Sequence, residues 1–365
     1  MKKCKKTLYI VGTNGLGTNY GGWDKLLSNL IDFLSEKYDI YVYTSSYENI
    51  EIAESYQEAK PIIINLKANG YQSIFYDFAS MIHATYKKAD IILVLGLSGG
   101  IFFPIFKFFN SKVVLNPDGA EWKRAKWNFF IKKFLMISER IGINSADYVI
   151  SDNAIIREEI FKNYGIKSAL AEYGGDHVKN IEIKDKTLKK YNLTVNDYAF
   201  KVCRIEPENN LDMILEAFIE TNIKLILIGN WNNSNYGKNL KQKYSNYINL
   251  LLLDPIYDQG TLDELRGNCK IYMHGHSVGG TNPSLVEAMH LELCCMVFDV
   301  NYNRETTHHK AIYFKDKNDL VKNLKLLWND KDKIDQVKKD MFKIACEKYT
   351  WKRVISLYEN IFNNI

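Results

Sequence analysis

Residues 274–289 read His274-Gly275-His276-Ser277-Val278-Gly279-Gly280-Thr281-Asn282-Pro283-Ser284-Leu285-Val286-Glu287-Ala288-Met289. The apolar run 270–273 leads into them, so a strand, a glycine–hydroxyl loop and a helix follow one another. Asn282 or Thr281 is a good N-cap, and Pro283 suits the first helical position. The free N–H groups of such a helix start attract anions. A capping box from Ser284 to Glu287 is the ordinary alternative. Pro283 at the first position instead places the cap at Asn282, which leaves Glu287 too far along and free to accept from a ligand hydroxyl. His274 and His276 read as facing opposite ways across the strand end, a poor arrangement for a shared metal.

The same rhythm extends through the chain. Apolar runs at 8–11, 40–44, 62–65, 91–95, 113–116 and 148–151 alternate with helical candidates at 22–37, 72–87, 123–143 and 153–163. Near-continuous apolar strands between helices indicate a parallel sheet covered on both faces. A charged, irregular stretch at 177–197 interrupts. The rhythm restarts with 198–202, a helix at 210–220, then 224–228, 248–253, 270–273, 294–298 and 311–314. The expected fold is α/β: two doubly wound, Rossmann-like domains facing across a cleft at the carboxyl ends of their strands. The expected divisions are an N-terminal domain, 1–178, and a C-terminal domain, 179–345. A tail, 346–365, has Trp351, Val354, Leu357, Tyr358 and Ile361 at helical spacing and is expected to pack back on the N-terminal domain.

The composition suits a soluble globular protein: 365 residues, 46% hydrophobic and 25% charged. A net charge of only +5 excludes a charge-dominated nucleic-acid binder. The six cysteines have no CxxC or metal-like spacing and fit a reducing compartment. The basic start precedes too short an apolar stretch for a secretory signal. The most hydrophobic stretch, 91–109, is broken by Gly96, Ser98, Gly99, Gly100, Pro104 and Lys107, so it reads as strand, turn and short helix rather than a membrane span. The expected location is cytoplasmic, with peripheral contact to the inner face of the membrane.

Four further segments carry chemistry. The turn Gly12-Thr13-Asn14-Gly15-Leu16-Gly17-Thr18-Asn19-Tyr20-Gly21-Gly22 holds five glycines between a strand and a helix. It allows close backbone approach to a ligand, or is simply a long flexible turn; it is not the dinucleotide fingerprint. The segment 116–127 places Asp118, Glu121, Lys123 and Arg124 where a strand ends. A carboxylate there can hold a sugar hydroxyl or act as a base; helix capping by Asp118 within a solvated charge cluster is the alternative. The following WKRAKWNFFIKKFL, from Trp122, interleaves basic and aromatic residues. Trp127, Phe130, Ile131 and Phe134 form one stripe, read as core, and Lys126, Phe129 and Lys133 another. Such a helix suits an anionic membrane surface, or is a plain surface helix with snorkelling lysines. Arg204, in Lys201-Val202-Cys203-Arg204-Ile205-Glu206-Pro207-Glu208-Asn209-Asn210, ends a strand, and its fork of donors can clamp a diphosphate. Pairing with Glu206 or Glu208 is the alternative. The one Asp-x-Asp pair, Asp330 and Asp332, reads as solvated loop, and no catalytic metal is expected.

The segments GTNGLGTNYGGWDKLLSNL, NPDGAEWKRAKW, RIEPENN and HGHSVGGTNPSLVEAM, in this order, resemble retaining glycosyltransferases of the GT-B fold, family 4 (GT4). The likeness is nearest to a bacterial rhamnosyltransferase-like branch with a DUF1972-type N-terminal domain. The resemblance implies a nucleotide-sugar donor, dTDP- or UDP-linked, held mainly by the C-terminal domain. It implies that Arg204 meets the diphosphate and Glu287 the nucleotide sugar-ring hydroxyls. The loop with His276, Gly279, Gly280, Thr281 and Asn282 would cradle phosphate or donor sugar. The turn with Gly15 and Gly17 would close over the donor, and Tyr20, Gly21, Gly22, Lys123 and Arg124 would face the acceptor, with Asp118 and Glu121 beside the reaction. Many members carry two glutamates separated by seven residues; the position eight before Glu287 is Gly279. The Lys often found five after the Arg is Asn209. The activity implied is sugar transfer, L-rhamnose first, to a lipid-linked saccharide in surface polysaccharide synthesis. A sugar-nucleotide epimerase or a non-catalytic saccharide-binding subunit are the alternatives, separable by product analysis.

Overall fold

The computed structural model describes residues 5–18, 22–56, 58–117, 119, 121–123 and 127–365. Backbone contacts divide the chain into two units: Met1–Glu172 with Lys352–Ile365, and Tyr173–Trp351.

The first unit is built on seven parallel strands: β1 (Lys6–Val11), β2 (Tyr38–Ser45), β3 (Ala59–Ile64), β4 (Ile91–Leu95), β5 (Lys112–Asn116), β6 (Tyr148–Ser151) and β7 (Ala169–Leu170), in the order β3-β2-β1-β4-β5-β6-β7. Leu8 is in register with Ile40 on one side and Ile91 on the other. All five residues of β4 are buried, as a strand covered on both faces requires. The second unit has six parallel strands: β8 (Ala199–Val202), β9 (Leu225–Ile228), β10 (Leu250–Leu253), β11 (Ile271–His274), β12 (Cys295–Phe298) and β13 (Ile312–Phe314), in the order β10-β9-β8-β11-β12-β13. Tyr272 pairs with Phe200 and with Cys295. Each sheet therefore reverses its winding once, between β1 and β4 and between β8 and β11. In such sheets the crevice for a ligand opens at the carboxyl ends of those two strands.

The helix Trp351–Asn363 returns to the first unit beyond its opening Trp. Val354, Tyr358 and Phe362, at i, i+4 spacing, are buried. The Asn116 amide donates to the Tyr358 hydroxyl at 2.9 Å, and the Tyr148 hydroxyl donates to the Asn364 carbonyl at 2.8 Å. Trp351 itself packs on Tyr173, ring centroids 5.6 Å apart, and a Cβ on Gly174 would overlap it. The backbone contacts divide at 172 and 351, beside the 178 and 345 expected from the sequence.

Three local expectations need correction. The stretch read as irregular contains a helix, Asp185–Tyr191, whose lysines face solvent and carry no apolar period. The helix expected from 123 begins at Phe129, because Asn128 caps it by accepting from the Ile131 N–H at 3.0 Å. Within it Phe130, read as core, is 81% exposed, and Ile131 is exposed as well. Ser138, Glu139, Gly142 and Ile143 form the buried side instead.

Candidate functional site

The loops that follow β8 and β11 are sewn together. Asn210 Nδ2 donates to the Gly275 carbonyl at 2.8 Å. The Ser277 N–H and hydroxyl both donate to the Glu208 carbonyl, at 2.9 and 3.0 Å. A Cβ on Gly275 would overlap the Asn209 carbonyl oxygen, so the loops approach as closely as they do only with glycine there. Asn209 spends its amide on the Arg204 carbonyl, at 2.9 Å. Arg204 is exposed, and its guanidinium has neither an ion pair nor a hydrogen bond among the described residues. Neither Glu206 nor Glu208 holds it.

The helix after β11 is Pro283–His290. Asn282 is its cap, accepting from the Ser284 N–H at 3.2 Å and the Ser284 hydroxyl at 2.8 Å. Ser284 is thereby turned toward Asn282, and no Ser284–Glu287 box forms. Gly279 takes φ +110°, a conformation only glycine adopts without strain, and faces the His276 ring. Thr281 is buried, and Gly280 half-buried, at the mouth of the helix.

Glu287 is not free. Arg266 Nη1 donates to its Oε2 at 2.5 Å, and Arg266 Nη2 donates to Asp263 Oδ1 at 2.9 Å. His177 Nε2 lies 3.2 Å from Glu287 Oε1, within ion-pair distance but outside hydrogen-bond geometry. Trp351 Nε1 donates to His177 Nδ1 at 3.0 Å, so a neutral His177 carries its proton on the Glu287 side. Burial alone would raise the Glu287 carboxyl; the fully buried Arg266 guanidinium and His177 overcome it and hold the group down to about 2. Glu287 is thus an anion fixed in one place, with one edge of its carboxylate still able to accept.

Beneath the two loops lies a cluster of buried nitrogen groups. Lys201 on β8 is 1% exposed and makes no hydrogen bond or ion pair among the described residues. Burial pushes its ammonium pKa down. Burial and the nearby Lys201 push the His274 imidazole well below its usual range, and its Nε2 has no partner. The His274 and His276 rings stand 6.2 Å apart rather than on opposite faces, because residues i and i+2 of an extended segment point the same way. Among the described residues no group of three or more His, Cys, Asp or Glu is placed to hold a metal ion.

In the first unit the glycine turn is pressed into its own fold. A Cβ on Gly12 would overlap the Leu95 carbonyl, one on Gly15 would overlap Thr44, and one on Gly17 would overlap Ile52. The turn is tied down by the Leu16 N–H to Thr44 Oγ1 (3.3 Å), the Ser45 N–H to the Asn14 carbonyl (3.0 Å) and the Tyr76 hydroxyl to the Thr13 carbonyl (3.1 Å). Gly22 opens the helix Gly22–Leu34. After β5, Glu121 accepts from Trp127 Nε1 at 3.2 Å, and Lys123 pairs with Glu159 at 3.0 Å. Lys123 lines a cavity of about 210 Å³ together with Trp122, Glu139 and Tyr164. Asp118, Tyr20, Gly21 and Arg124 lie outside the described residues.

With this geometry in view the comparisons are informative. Residues 184–343 match the family described as glycosyl transferases group 1, and residues 5–176 match DUF1972, a domain of unknown function. The chain is a glycosyltransferase. Solved structures support the GT-B fold of this transferase. Sucrose-phosphate synthase from Thermosynechococcus elongatus is 14% identical with a TM-score of 0.81, covering 99% of this chain and 100% of that one. HepE of Anabaena, in complex with UDP, is 11% identical with a TM-score of 0.77 over the same shares. TarM is 13% identical with a TM-score of 0.71, covering 99% of each chain. No curated protein sequence matches the transferase.

Four residues of the transferase escaped sequence reasoning. Arg266 and His177 hold Glu287, Lys201 is buried on β8, and Glu139 is buried beside Trp122. Lys201 had a signal: a lysine inside an otherwise apolar strand. Glu139 had a weaker one, at a position spaced with the helix's buried side. Arg266 and His177 had none, since each meets Glu287 only through tertiary packing.

Proposed function

We propose that this glycosyltransferase is a retaining enzyme that moves a sugar from a dTDP- or UDP-linked donor, L-rhamnose from dTDP-rhamnose first. The acceptor is a lipid-linked saccharide at the cytoplasmic face of a membrane, in surface polysaccharide synthesis. The observation that carries the reading is the Arg204 guanidinium, unpaired among the described residues, on a loop sewn to the start of the Pro283–His290 helix. Both ask for an anion, and a diphosphate is the anion that spans a guanidinium and a helix mouth. That HepE, of the same fold, was solved with UDP and with UDP-glucose supports a nucleotide-sugar donor.

In this reading the acceptor oxygen bonds to the anomeric carbon as the bond to the diphosphate breaks. The departing diphosphate takes the hydroxyl proton on the same face of the sugar. Arg204 and the helix N–H groups meet the charge that develops on it, in place of a metal ion. Glu287, fixed by Arg266, receives the nucleotide sugar-ring hydroxyls, and the loop with His276, Gly279, Gly280, Thr281 and Asn282 cradles the phosphate or donor sugar. Among the described residues of the first unit, Gly22 and Lys123 serve the acceptor and Glu121 the reaction.

The test is turnover with a panel of nucleotide sugars and lipid-linked saccharides, the product identified by mass spectrometry and NMR. Arg204→Ala is expected to lower kcat/KM about 100- to 1000-fold with an unchanged melting temperature. Equal turnover by the variant and the native protein at limiting and saturating donor would remove Arg204 from the reaction.

A further inference from the structure

The helix Phe129–Ser145 has its polarity inside out. At ~100° per residue, Phe129, Phe130, Lys133, Met136, Ile137 and Arg140 fall within about 120° of one another, an arc that does not overlap the one holding the buried Ser138, Glu139, Gly142 and Ile143. Phe129 is 72% exposed, Phe130 81%, Met136 45% and Ile137 46%. The solvent side of a surface helix is ordinarily polar. Of the seven residues on this arc, with Asn144 included, four are apolar, two are cations and Asn144 is neutral.

The electrostatics of the segment point one way. Residues 101–145 contain eight Lys and Arg (Lys107, Lys112, Lys123, Arg124, Lys126, Lys132, Lys133, Arg140) against three carboxylates (Asp118, Glu121, Glu139). The helix's one carboxylate, Glu139, is buried, accepting from Trp122 Nε1 at 3.0 Å and the Tyr164 hydroxyl at 2.6 Å. The outward face therefore carries no negative charge. Phe129 and Phe130 meet edge to face, centroids 5.8 Å apart, so the apolar part is a compact wedge at the helix start. That start follows β5, at the carboxyl edge of the first sheet, where this architecture receives substrates.

We propose that this face docks on an anionic phospholipid bilayer, the helix lying in the interfacial plane with Phe129 and Phe130 at the acyl boundary and Lys133 and Arg140 on the headgroup phosphates. A bilayer fits better than a protein partner because the face pairs apolar wedge with uniform positive charge and offers no carboxylate for a partner's cations. Among the described residues no helix is long and apolar enough to cross a membrane, so attachment by this face is at the surface. The inference rests on the proposed lipid-linked acceptor for its purpose alone; the docking itself is independent of that reading.

The experiment is flotation of the full-length protein with vesicles of phosphatidylcholine alone, or of phosphatidylcholine and phosphatidylglycerol at roughly 7:3. Native protein should bind the mixed vesicles, bind the neutral ones at least about fivefold less, and release from the mixed ones as salt rises. Phe129→Ser with Phe130→Ser, and separately Lys133→Gln with Arg140→Gln, should each cut binding about tenfold or more. Their melting temperatures and calorimetric affinities for UDP or dTDP should stay native, because these side chains are exposed and belong to the unit that does not carry the donor loops. Equal binding to both vesicle types, no binding to either, or native binding by both variants overturns the proposal. So does a native dimer in analytical ultracentrifugation that the Phe129→Ser, Phe130→Ser variant loses, since the face then serves a second copy of the chain. If flotation succeeds while no lipid-linked acceptor is glycosylated, the acceptor reading falls and the docking stands.

Discussion

Two glycine-rich turns follow strands at the winding reversals of the two sheets, one after β1 and one after β11, and they use glycine for different ends. In the first turn Gly12, Gly15 and Gly17 all have positive φ, and a side chain on any of them would strike Leu95, Thr44 or Ile52. Glycine there is a demand of the surrounding protein. In the second turn Gly275 alone is wedged against backbone; Gly279 has positive φ but its nearest neighbour is His276 Nε2, 3.4 Å from where a Cβ would stand. That turn is open where it meets the helix mouth. Glycine content alone does not separate a loop that serves its fold from one that is free for a ligand.

Substitution is the most forceful way to break this contrast. Gly12→Ala must move the Leu95 carbonyl and strain the backbone, and is expected to cost more than about 3 kcal/mol in urea denaturation. Gly279→Ala should cost about 1–2 kcal/mol of stability, from φ alone, yet weaken UDP or dTDP binding in calorimetry. If the two variants lose stability equally, the contrast fails.

The buried carboxylates sharpen it. Glu287, in the second unit, is held down to about 2 from an ordinary 4.5, so its contribution is complete above about pH 4.5 and is lost as pH falls toward 2. Glu287→Ala strands the buried Arg266 and should cost about 3–5 kcal/mol at neutral pH, measured by denaturant unfolding. A loss of donor affinity in that variant therefore needs a parallel stability measurement before it counts as a binding effect. Asp77, in the first unit, behaves oppositely. Burial raises its carboxyl from 3.8 to about 7, against a hydrogen bond from the Gly99 N–H at 3.0 Å. The unfolded chain gives up that proton first, so stability falls as pH rises from about 4 to 7 and the loss is complete above 7. Asp77→Asn should remove this slope and add about 2–4 kcal/mol at pH 8. A flat native profile between pH 4 and 7 would show that Asp77 does not titrate as its burial dictates.

The smallest expected effect concerns Lys201, under the donor loops. Among the described residues its buried ammonium makes no hydrogen bond or ion pair, so Lys201→Met should raise stability by about 1–2 kcal/mol at neutral pH. Its folded pKa lies below the unfolded one, so native stability rises with pH between the two values and Lys201→Met abolishes that rise. A melting temperature that drops in Lys201→Met would reveal a counter-charge that the present geometry lacks.

Much of the architecture was legible because burial writes itself into composition locally. β4 (IILVL) and β9 (LILI) are covered on both faces and can contain little else. Pro283 after Asn282 marked a helix start to the residue. Legibility ended where one element depends on a distant one. Ala169–Leu170 is a strand only because β6 pairs with it, through Ile150 and Ser151. Phe130 had the spacing of a core residue, but the core lies on the other side of its helix. Glu287 looked unoccupied because Arg266 reaches it from another helix and His177 from a loop, and no periodicity records such a meeting.

The return of Trp351–Asn363 to the first unit has a consequence for biosynthesis. On the ribosome all seven strands of the first sheet emerge before the second unit is even begun, but Tyr358 and Phe362 are made only after it is finished. At ~5–20 residues per second the nascent sheet waits many seconds without the Tyr358 hydroxyl on the Asn116 amide and with the seat of Phe362 open to water. The earliest part of this chain to be synthesised is thus among the last to be sealed, and in that interval its bare apolar surface is what a chaperone would hold.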